Sequence, residues 1–207
     1  MDPQKIPMRI IHCSEHTSRE PLIEDLRQNF CSHIEVYEGV AFGSVYGNTL
    51  SHIHLLQEMV DRGHEWFVVF EDDVEMVGDK EELWAFINAA PKPFDIFLLG
   101  VNEYVNQFLY TPEYIITDRF WGCHAMLVSK KAAVAILDYY YSITLWKQRQ
   151  PADWIYNQAI KHNNLIVFGP RHRCEYFWQK PGVESTVEKY EDPYLQLYVP
   201  KPNMYRQ

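Results

Sequence analysis

Residues 66–76, Trp-Phe-Val-Val-Phe-Glu-Asp-Asp-Val-Glu-Met, determine the architecture that this chain adopts. Trp66–Phe70 is a continuous run of aromatic and β-branched residues, which predicts a strand buried on both faces. The run ends abruptly in Glu71-Asp72-Asp73. Adjacent carboxylates repel one another and are costly to desolvate, so at the end of a central strand they need a metal ion or a positive cluster as partner. The same edge of an open α/β sheet is where ligands bind.

Two interpretations of the acidic triplet stay open from these residues alone. It is either a solvated acidic turn after a strand or a metal site for a phosphate-bearing ligand. Carboxylate oxygens are hard ligands that suit Mg²⁺ and Mn²⁺, so the second interpretation predicts one of these ions as the cofactor.

The composition is typical of one globular domain, which we place at residues 1–190, with 191–207 as an extended tail or a linker to further domains. The net charge of −9 argues against a nucleic-acid partner. No apolar run approaches the roughly 20 residues of a membrane span, and the charged N-terminus is not typical of a signal peptide. We therefore expect a cytoplasmic protein whose four cysteines are reduced thiols, although four cysteines also allow two disulfides.

Strands and helices alternate along most of the chain. Apolar runs predict strands at residues 8–13, 34–37, 66–70, 94–100, 122–128 and 165–169. Capping residues and periodic apolar positions predict helices that start at Pro21, at Asn48 or Thr49, at Asp79, at Ser129 and at Pro151. Residues 102–117 alternate as a hairpin or an edge strand does, and beyond Arg171 we expect an extended tail on the surface. The order predicts an α/β fold with a mixed, mostly parallel sheet flanked by helices.

The segment before the second helix, Gly39–Gly47, contains three glycines and can bring backbone amides close to a ligand, although it fits an ordinary turn equally well. If the helix starts at Asn48 or Thr49, Ser51 and His52 fall in its first turn. Exposed amides and the helix dipole favour an anion there. The alternative for His52 is a partly buried histidine with its hydrogen bonds satisfied.

Taken in chain order, these motifs resemble glycosyltransferase family 25, the lipopolysaccharide-biosynthesis type. The resemblance covers roughly residues 8–186. It rests on Ser44–His52, Glu71-Asp72-Asp73-Val74, Phe94–Gly100, Gly122–Ala132 and Pro151-Ala-Asp-Trp154, with Gln179 and Ser185 at polar positions near the end.

The family resemblance implies a GT-A fold, a Rossmann-like domain that binds a nucleotide-diphosphate sugar and a divalent metal. Asp73 is the expected metal ligand, and Glu71 lies on the same side of an extended chain by its two-residue period. Asp72 then points elsewhere, to the ribose or to a structural partner. Asp153, in the Pro-x-Asp match, is the expected general base of an inverting transfer, and the alternative is a helix N-cap.

The expected nucleotide-sugar contacts are His12, Arg19, Ser44, Ser51, His52, Asp72, Asp73 and His172. Two segments depart from the family pattern. His12-Cys13-Ser14 replaces its usual Asn-Leu-Asp, with Arg19 standing in for its arginine, and Gly47-Asn48 replaces its Gly-Cys. Because these segments lie where the base and ribose bind, the departures leave the donor nucleotide open, with a UDP-sugar favoured.

The leading hypothesis is a metal-dependent transfer of a sugar to a glycan or glycoconjugate acceptor. The second is a catalytically degenerate domain that holds a nucleotide sugar without turnover. A Mg²⁺-dependent phosphohydrolase is a third, but the chain has no Asp-x-Asp directly after its first strand. A structural α/β module with a solvated acidic turn is the fourth.

Overall fold

The computed structural model describes residues 1–41, 44–172 and 175–180. The strands are β1 (Met8–His12), β2 (Glu35–Glu38), β3 (Trp66–Glu71), β4 (Val74–Met76), β5 (Ile96–Gly100), β6 (Glu103–Leu109), β7 (Tyr114–Trp121), β8 (Ala125–Ser129), β9 (Val167–Pro170) and β10 (Phe177–Gln179). The helices are α1 (Glu20–Asn29), α2 (Ser44–Asp61), α3 (Lys80–Ala89), α4 (Lys130–Ser142), α5 (Leu145–Gln148) and α6 (Ala152–Asn163). Short 3-10 turns cover Pro3–Lys5 and Thr17–Arg19.

Within the described residues, the main sheet has eight strands in the order β2-β1-β3-β8-β5-β9-β7-β6. Six of them run in one direction, and β7 and β8 run against it. The predicted α/β fold with a mixed, mostly parallel sheet is therefore confirmed. The antiparallel pairings arise because β8 enters between β3 and β5 and because β6 and β7 form the hairpin predicted over residues 102–117.

Strand β3 is buried on both faces, as its apolar run predicts. Phe67 and Val69 pack in the core that contains α2, α4 and α6, whereas Val68 and Phe70 pack in the core that contains α1 and α3. Each aliphatic or aromatic side chain buried in this way contributes about 1.5–3 kcal/mol. Two apolar layers therefore fix the register of β3, and this register fixes where the acidic residues after it lie.

The predicted helix caps are confirmed at two sites. The Asp79 side chain accepts a hydrogen bond from the Glu82 amide at 2.9 Å, and Ser129 accepts one from the Ala132 amide at 3.1 Å. Gly63 follows α2 with a φ of 74°, the left-handed conformation that glycine adopts without strain. The local sequence therefore marks these helix ends correctly.

Two predictions of element boundaries are wrong. Helix α2 starts at Ser44, so neither Asn48 nor Thr49 caps it. The chain beyond Arg171 is not simply a surface tail, because Tyr176 and Phe177 are buried in the core and β10 pairs antiparallel with β4. Burial of Tyr176 and Phe177 is favourable because it removes their apolar surface from water. Residues 191–207, the predicted tail or linker, lie outside the described residues.

In the described parts of the chain, no helix has both the length and the apolar character that a membrane crossing requires. Cys13, Cys31 and Cys123 are unpaired thiols, as predicted. Cys174 lies outside the described residues.

Candidate functional site

The candidate site lies at the carboxyl-terminal edge of the sheet. Strands β1 and β3 run parallel and end there at His12 and Glu71. Strand β8 runs the opposite way, so its start places Cys123 and His124 at the same edge. Sheet topology thus gathers side chains that are far apart in sequence, at the edge where ligands bind in open α/β sheets.

Asp72 is held by two basic side chains. His12 Nδ1 lies 2.7 Å from one carboxylate oxygen, and Arg19 donates from its guanidinium to the other. All three side chains are buried. A buried carboxylate with both oxygens bound to cationic or donor groups is a satisfied structural ion pair. The structural partner foreseen for Asp72 is therefore this pair of basic residues.

Asp73 is buried but only half satisfied. Its Oδ2 accepts a hydrogen bond from Gln179 Nε2 at 2.9 Å and lies 3.8 Å from the Arg19 guanidinium. Its Oδ1 has no hydrogen-bond partner among the described residues. Burial, together with the nearby Glu71, raises the pKa of Asp73 to about 6. Burying a carboxylate oxygen without a hydrogen-bond donor raises the free energy of the folded protein. This oxygen is therefore available to bind a ligand.

Glu71 faces the helical layer of α2 and α6. Its Oε1 lies 3.1 Å from Asn48 Nδ2, 3.3 Å from His52 Nε2 and 3.8 Å from Cys123 Sγ. Burial raises the pKa of Glu71, but the hydrogen bond and charge of His52 and the amide of Asn48 outweigh it, so the net shift is downward. The carboxylate therefore stays ionised.

The two-residue period does not relate Glu71 to Asp73, because Asp72 and Asp73 form a turn between β3 and β4. Glu71 binds side chains of α2, whereas Asp73 binds Gln179 of β10. The two carboxylates are nevertheless close enough that Glu71 raises the pKa of Asp73. Their proximity comes from the turn and not from the two-residue period of an extended chain.

Ser51 and His52 do not lie in the first turn of α2, and this prediction is wrong. Because α2 starts at Ser44, both residues lie in the interior of the helix, and both are 1% exposed. Ser51 Oγ donates to the Gly47 carbonyl and accepts from the Val40 amide, each at 2.8 Å. The Ser51 hydroxyl therefore links α2 to the preceding segment.

Asp153 lies in the first turn of α6, whose N-cap is Pro151, so the alternative of an Asp153 N-cap is wrong. Its Oδ2 accepts from the Gly122 amide at 3.1 Å and its Oδ1 from the Trp154 amide at 2.8 Å. Burial raises the pKa of Asp153, the two amides lower it, and Glu71 raises it again. The net upward shift makes this carboxylate a better proton acceptor than an exposed aspartate.

The other predicted site residues are placed as follows. Ser44 begins α2, but its side chain lies outside the described part of the structure. His172 is exposed after β9. Gln179, one of the polar positions of the family resemblance, binds Asp73 directly. Ser185 lies outside the described residues.

Sequence reasoning missed two residues at this edge, Cys123 and His124. Burial first, then the charges of Glu71 and Asp153, raise the pKa of the Cys123 thiol well above its usual range. His124 is buried with neither ring nitrogen hydrogen-bonded in the described structure, and burial lowers its pKa to about 4. The sequence feature that could have identified these residues is the Cys-His pair just before a strand of small residues. The pair lies at the candidate site only because β8 runs antiparallel to β3.

Two solved structures share this architecture. A glycosyltransferase involved in the glycosylation of the major capsid of PBCV-1 matches with a TM-score of 0.54 and 14% identity, over 93% of this chain and 99% of that one. The catalytic domain of Drosophila β1,4-galactosyltransferase 7, solved with xylobiose, matches with a TM-score of 0.52 and 12% identity, over 84% of this chain and 69% of that one. At these identities the likeness shows the fold alone. No curated protein matches the chain.

A family model described as glycosyltransferase family 25 (LPS biosynthesis protein) matches residues 4–155. This span holds β1, α2, β3 and the start of α6, which carry His12, His52, the acidic triplet and Asp153. The chain belongs to glycosyltransferase family 25.

Proposed function

We propose that this glycosyltransferase moves a sugar from a nucleotide-diphosphate donor, with a UDP-sugar favoured, to a hydroxyl of a glycan or glycoconjugate. The transfer uses Mn²⁺ or Mg²⁺ and inverts the sugar. The observation that carries this proposal is the buried Oδ1 of Asp73 at the carboxyl edge of the sheet, which has no hydrogen-bond partner among the described residues. Its neighbour Asp72 is fully paired, so Asp73 is the carboxylate of this turn that has a coordination position to offer.

The donor set fits a hard divalent ion. Asp73 offers a carboxylate oxygen, and Glu71 offers a second carboxylate that is ionised and close enough to influence Asp73. Carboxylate oxygens are the ligands that Mg²⁺ and Mn²⁺ prefer. When bound, the ion supplies Lewis-acid stabilisation of the negative charge on the departing nucleotide diphosphate.

The basic residues hold the acidic turn in place. Arg19 binds Asp72 and lies 3.8 Å from Asp73 Oδ2, while His12 binds the other oxygen of Asp72. These contacts fix the turn in one conformation, so that Asp73 does not have to be ordered when a donor binds. In this proposal Arg19 and His12 act by positioning Asp73, in addition to any contact with the nucleotide.

Asp153 is the proposed general base. It is partly exposed, and its raised pKa favours acceptance of a proton from the acceptor hydroxyl. Its two amide hydrogen bonds fix its orientation, which a positioned base requires.

The deciding experiment is calorimetric binding of a panel of nucleotide sugars, each with and without Mn²⁺. We expect one nucleotide to bind with an affinity that depends on the metal. Asp73→Asn should remove that metal dependence and keep the fold, whereas Asp118→Asn, which changes an exposed carboxylate on β7, should not. If no donor in the panel shows a metal-dependent response, the proposal is wrong.

A second candidate, a nucleotide-sugar-binding domain without turnover, is favoured by one observation. Both oxygens of Asp153 already accept backbone N–H groups, as expected of a purely structural carboxylate. Metal-dependent donor binding without release of free nucleotide, in the presence of a broad acceptor panel, would support this candidate over the transferase.

A further inference from the structure

Three side chains from three separate elements meet beside the acidic turn. His52 comes from α2, Glu71 from the end of β3 and Cys123 from the segment before β8. One potential ligand atom from each lies within 4.8 Å of the other two. We propose that His52, Glu71 and Cys123 form a three-ligand binding site for a borderline-soft divalent metal of the zinc type.

The distances between the three atoms match tetrahedral zinc coordination. Zinc binds His nitrogen at about 2.0–2.1 Å, Cys sulfur at about 2.3 Å and carboxylate oxygen at about 2.0–2.2 Å. At tetrahedral angles these bond lengths place N and O about 3.4 Å apart, and N and S or O and S about 3.6 Å apart. The observed separations are 3.3 Å for His52 Nε2 to Glu71 Oε1, 3.7 Å for His52 Nε2 to Cys123 Sγ and 3.8 Å for Cys123 Sγ to Glu71 Oε1.

A second contact orients the histidine. His52 Nδ1 lies 3.3 Å from the Tyr156 hydroxyl, so the other ring nitrogen, Nε2, is the one directed at Glu71 and Cys123. Metal-binding histidines almost always use the second ring nitrogen in such a hydrogen bond, which fixes the ring and its tautomer. Both residues are fully buried, so Tyr156 holds the imidazole in one orientation.

The charge balance around Glu71 also favours a cation. The side chains that hydrogen-bond to Glu71 in the described residues are an amide, an imidazole and a thiol, so His52 is the one basic partner among them and no lysine or arginine joins it. Asp153 and Asp73 add further negative charge near Cys123. On binding, the Cys123 thiol releases its proton to solvent and the thiolate joins the metal.

Glu71 is common to this site and to the proposed Mn²⁺ or Mg²⁺ site at Asp73, whereas His52 and Cys123 belong to this site alone. A thiolate and an imidazole select zinc-type ions, whereas carboxylate oxygens suit Mg²⁺ and Mn²⁺. Three protein ligands leave one tetrahedral position open to an exchangeable group. The test below reads out the Cys123 thiolate, which the proposed sugar transfer does not use, so its failure would leave that proposal intact.

The test uses the full 207-residue chain, stripped by a chelator and titrated with Co²⁺, which reports a thiolate ligand by a charge-transfer absorption band. We expect the band to saturate at one Co²⁺ per chain and to disappear when Zn²⁺ is added. Cys123→Ser should abolish the band. The matched control is Cys31→Ser, because Cys31 Sγ lies 2.9 Å from His33 Nδ1 and is another cysteine–histidine pair. This variant should keep the band.

A gentler variant covers the case in which Cys123→Ser does not fold. Tyr156→Phe removes only the hydroxyl beside His52 and should weaken Co²⁺ binding by about 10–100-fold, the usual effect of losing such a supporting contact. Tyr140→Phe, at another buried tyrosine, should leave the affinity unchanged. A wild-type chain that gives no saturable band, a band that survives Cys123→Ser, or equal affinities for the two tyrosine variants would each overturn the proposal.

Discussion

Asp72 and Asp73 are neighbours in one turn, yet their surroundings differ sharply. Asp72 has a basic side chain on each oxygen, His12 on one and Arg19 on the other. Asp73 has an amide on one oxygen and no hydrogen-bond partner on the other within the described residues. Both are nearly inaccessible to solvent. The difference shows that two adjacent carboxylates of one motif are satisfied to different degrees, one on both oxygens and the other on one.

Charge balance explains how Asp72 and Asp73 can both be buried in one turn. A buried carboxylate is stable when hydrogen bonds and opposite charge replace its lost hydration, which Arg19 and His12 do for Asp72. Asp73 receives less compensation, so its pKa rises to about 6. The same turn therefore contains a satisfied ion pair that anchors it and a carboxylate that gains from a bound cation. Four variants test this difference between Asp72, Asp73 and their neighbours.

The largest effect is expected for Arg19→Met, which removes the guanidinium and leaves Asp72 buried and less compensated. Breaking a buried ion pair from one side costs about 3–5 kcal/mol. We expect a loss of this size in the free energy of unfolding, measured by urea denaturation. Arg62→Met is the matched control, because Arg62 is exposed and its pair with the partly exposed Glu58 is worth less than about 1 kcal/mol. Equal losses in the two variants would contradict the structural role of Asp72.

Asp153→Asn should lower the transfer rate by about 10²–10⁴-fold, the usual contribution of a general base. Asparagine keeps a side-chain oxygen that can accept the Gly122 amide, so the fold and donor binding should survive. The measurement compares turnover with calorimetric donor affinity, with Asp118→Asn as the surface control. A transfer rate near that of the wild type would show that Asp153 is structural, as Asp72 is.

The fold was predictable where the local sequence pattern and the tertiary packing favour the same structure. Trp66–Phe70 needs burial on both faces, and the two core layers provide it. Asp79 and Ser129 cap their helices as their side chains predict. The start of α2 was not predictable in this way, because Gly47 and Asn48 resemble a helix boundary. A glycine inside a helix costs only about 1 kcal/mol, which tertiary packing of α2 overrides.

The candidate site was predictable only in part, because sequence identifies the acidic residues but not their partners. Asp72 meets Arg19 across 53 positions, and Asp73 meets Gln179 across 106. Cys123 reaches His52 only because β8 is inserted antiparallel beside β3. No local pattern reports such contacts, since they follow from the order of strands in the sheet.

Asp73→Asn should increase stability at neutral pH, the opposite of Arg19→Met. The raised pKa means that the folded state binds the proton of Asp73 more tightly than the unfolded state does. Stability from this group is therefore fully present below about pH 4 and is lost as pH rises through about 6. An uncharged amide avoids that loss, so we expect a gain of up to about 3 kcal/mol at pH 7.

The measurement is urea denaturation of wild type and Asp73→Asn at pH 4 and pH 7, without added metal. The gain should be present at pH 7 and nearly absent at pH 4, where aspartate and asparagine are both neutral. Added Mn²⁺ should reverse the order at pH 7 if Asp73 binds the ion, because ligand binding stabilises only the chain that binds it. A variant that is less stable at pH 7 would show that Asp73 is satisfied by contacts like those of Asp72.

The smallest effect is expected for Asn48→Ala, on the Glu71 side of the turn. The variant removes the amide that donates to Glu71 Oε1 at 3.1 Å, which costs about 1 kcal/mol after the higher helix propensity of alanine is allowed for. Asn29→Ala is the control, because its amide donates to an exposed carboxylate, Asp25, at 2.8 Å. Since the Asn48 amide also helps to lower the pKa of Glu71, the Asn48 variant should lose stability at a higher pH during acid denaturation. An identical acid midpoint for the two variants would mean that His52 alone keeps Glu71 ionised. Glu71 would then resemble Asp72, whose charge is balanced by basic side chains and not by an amide.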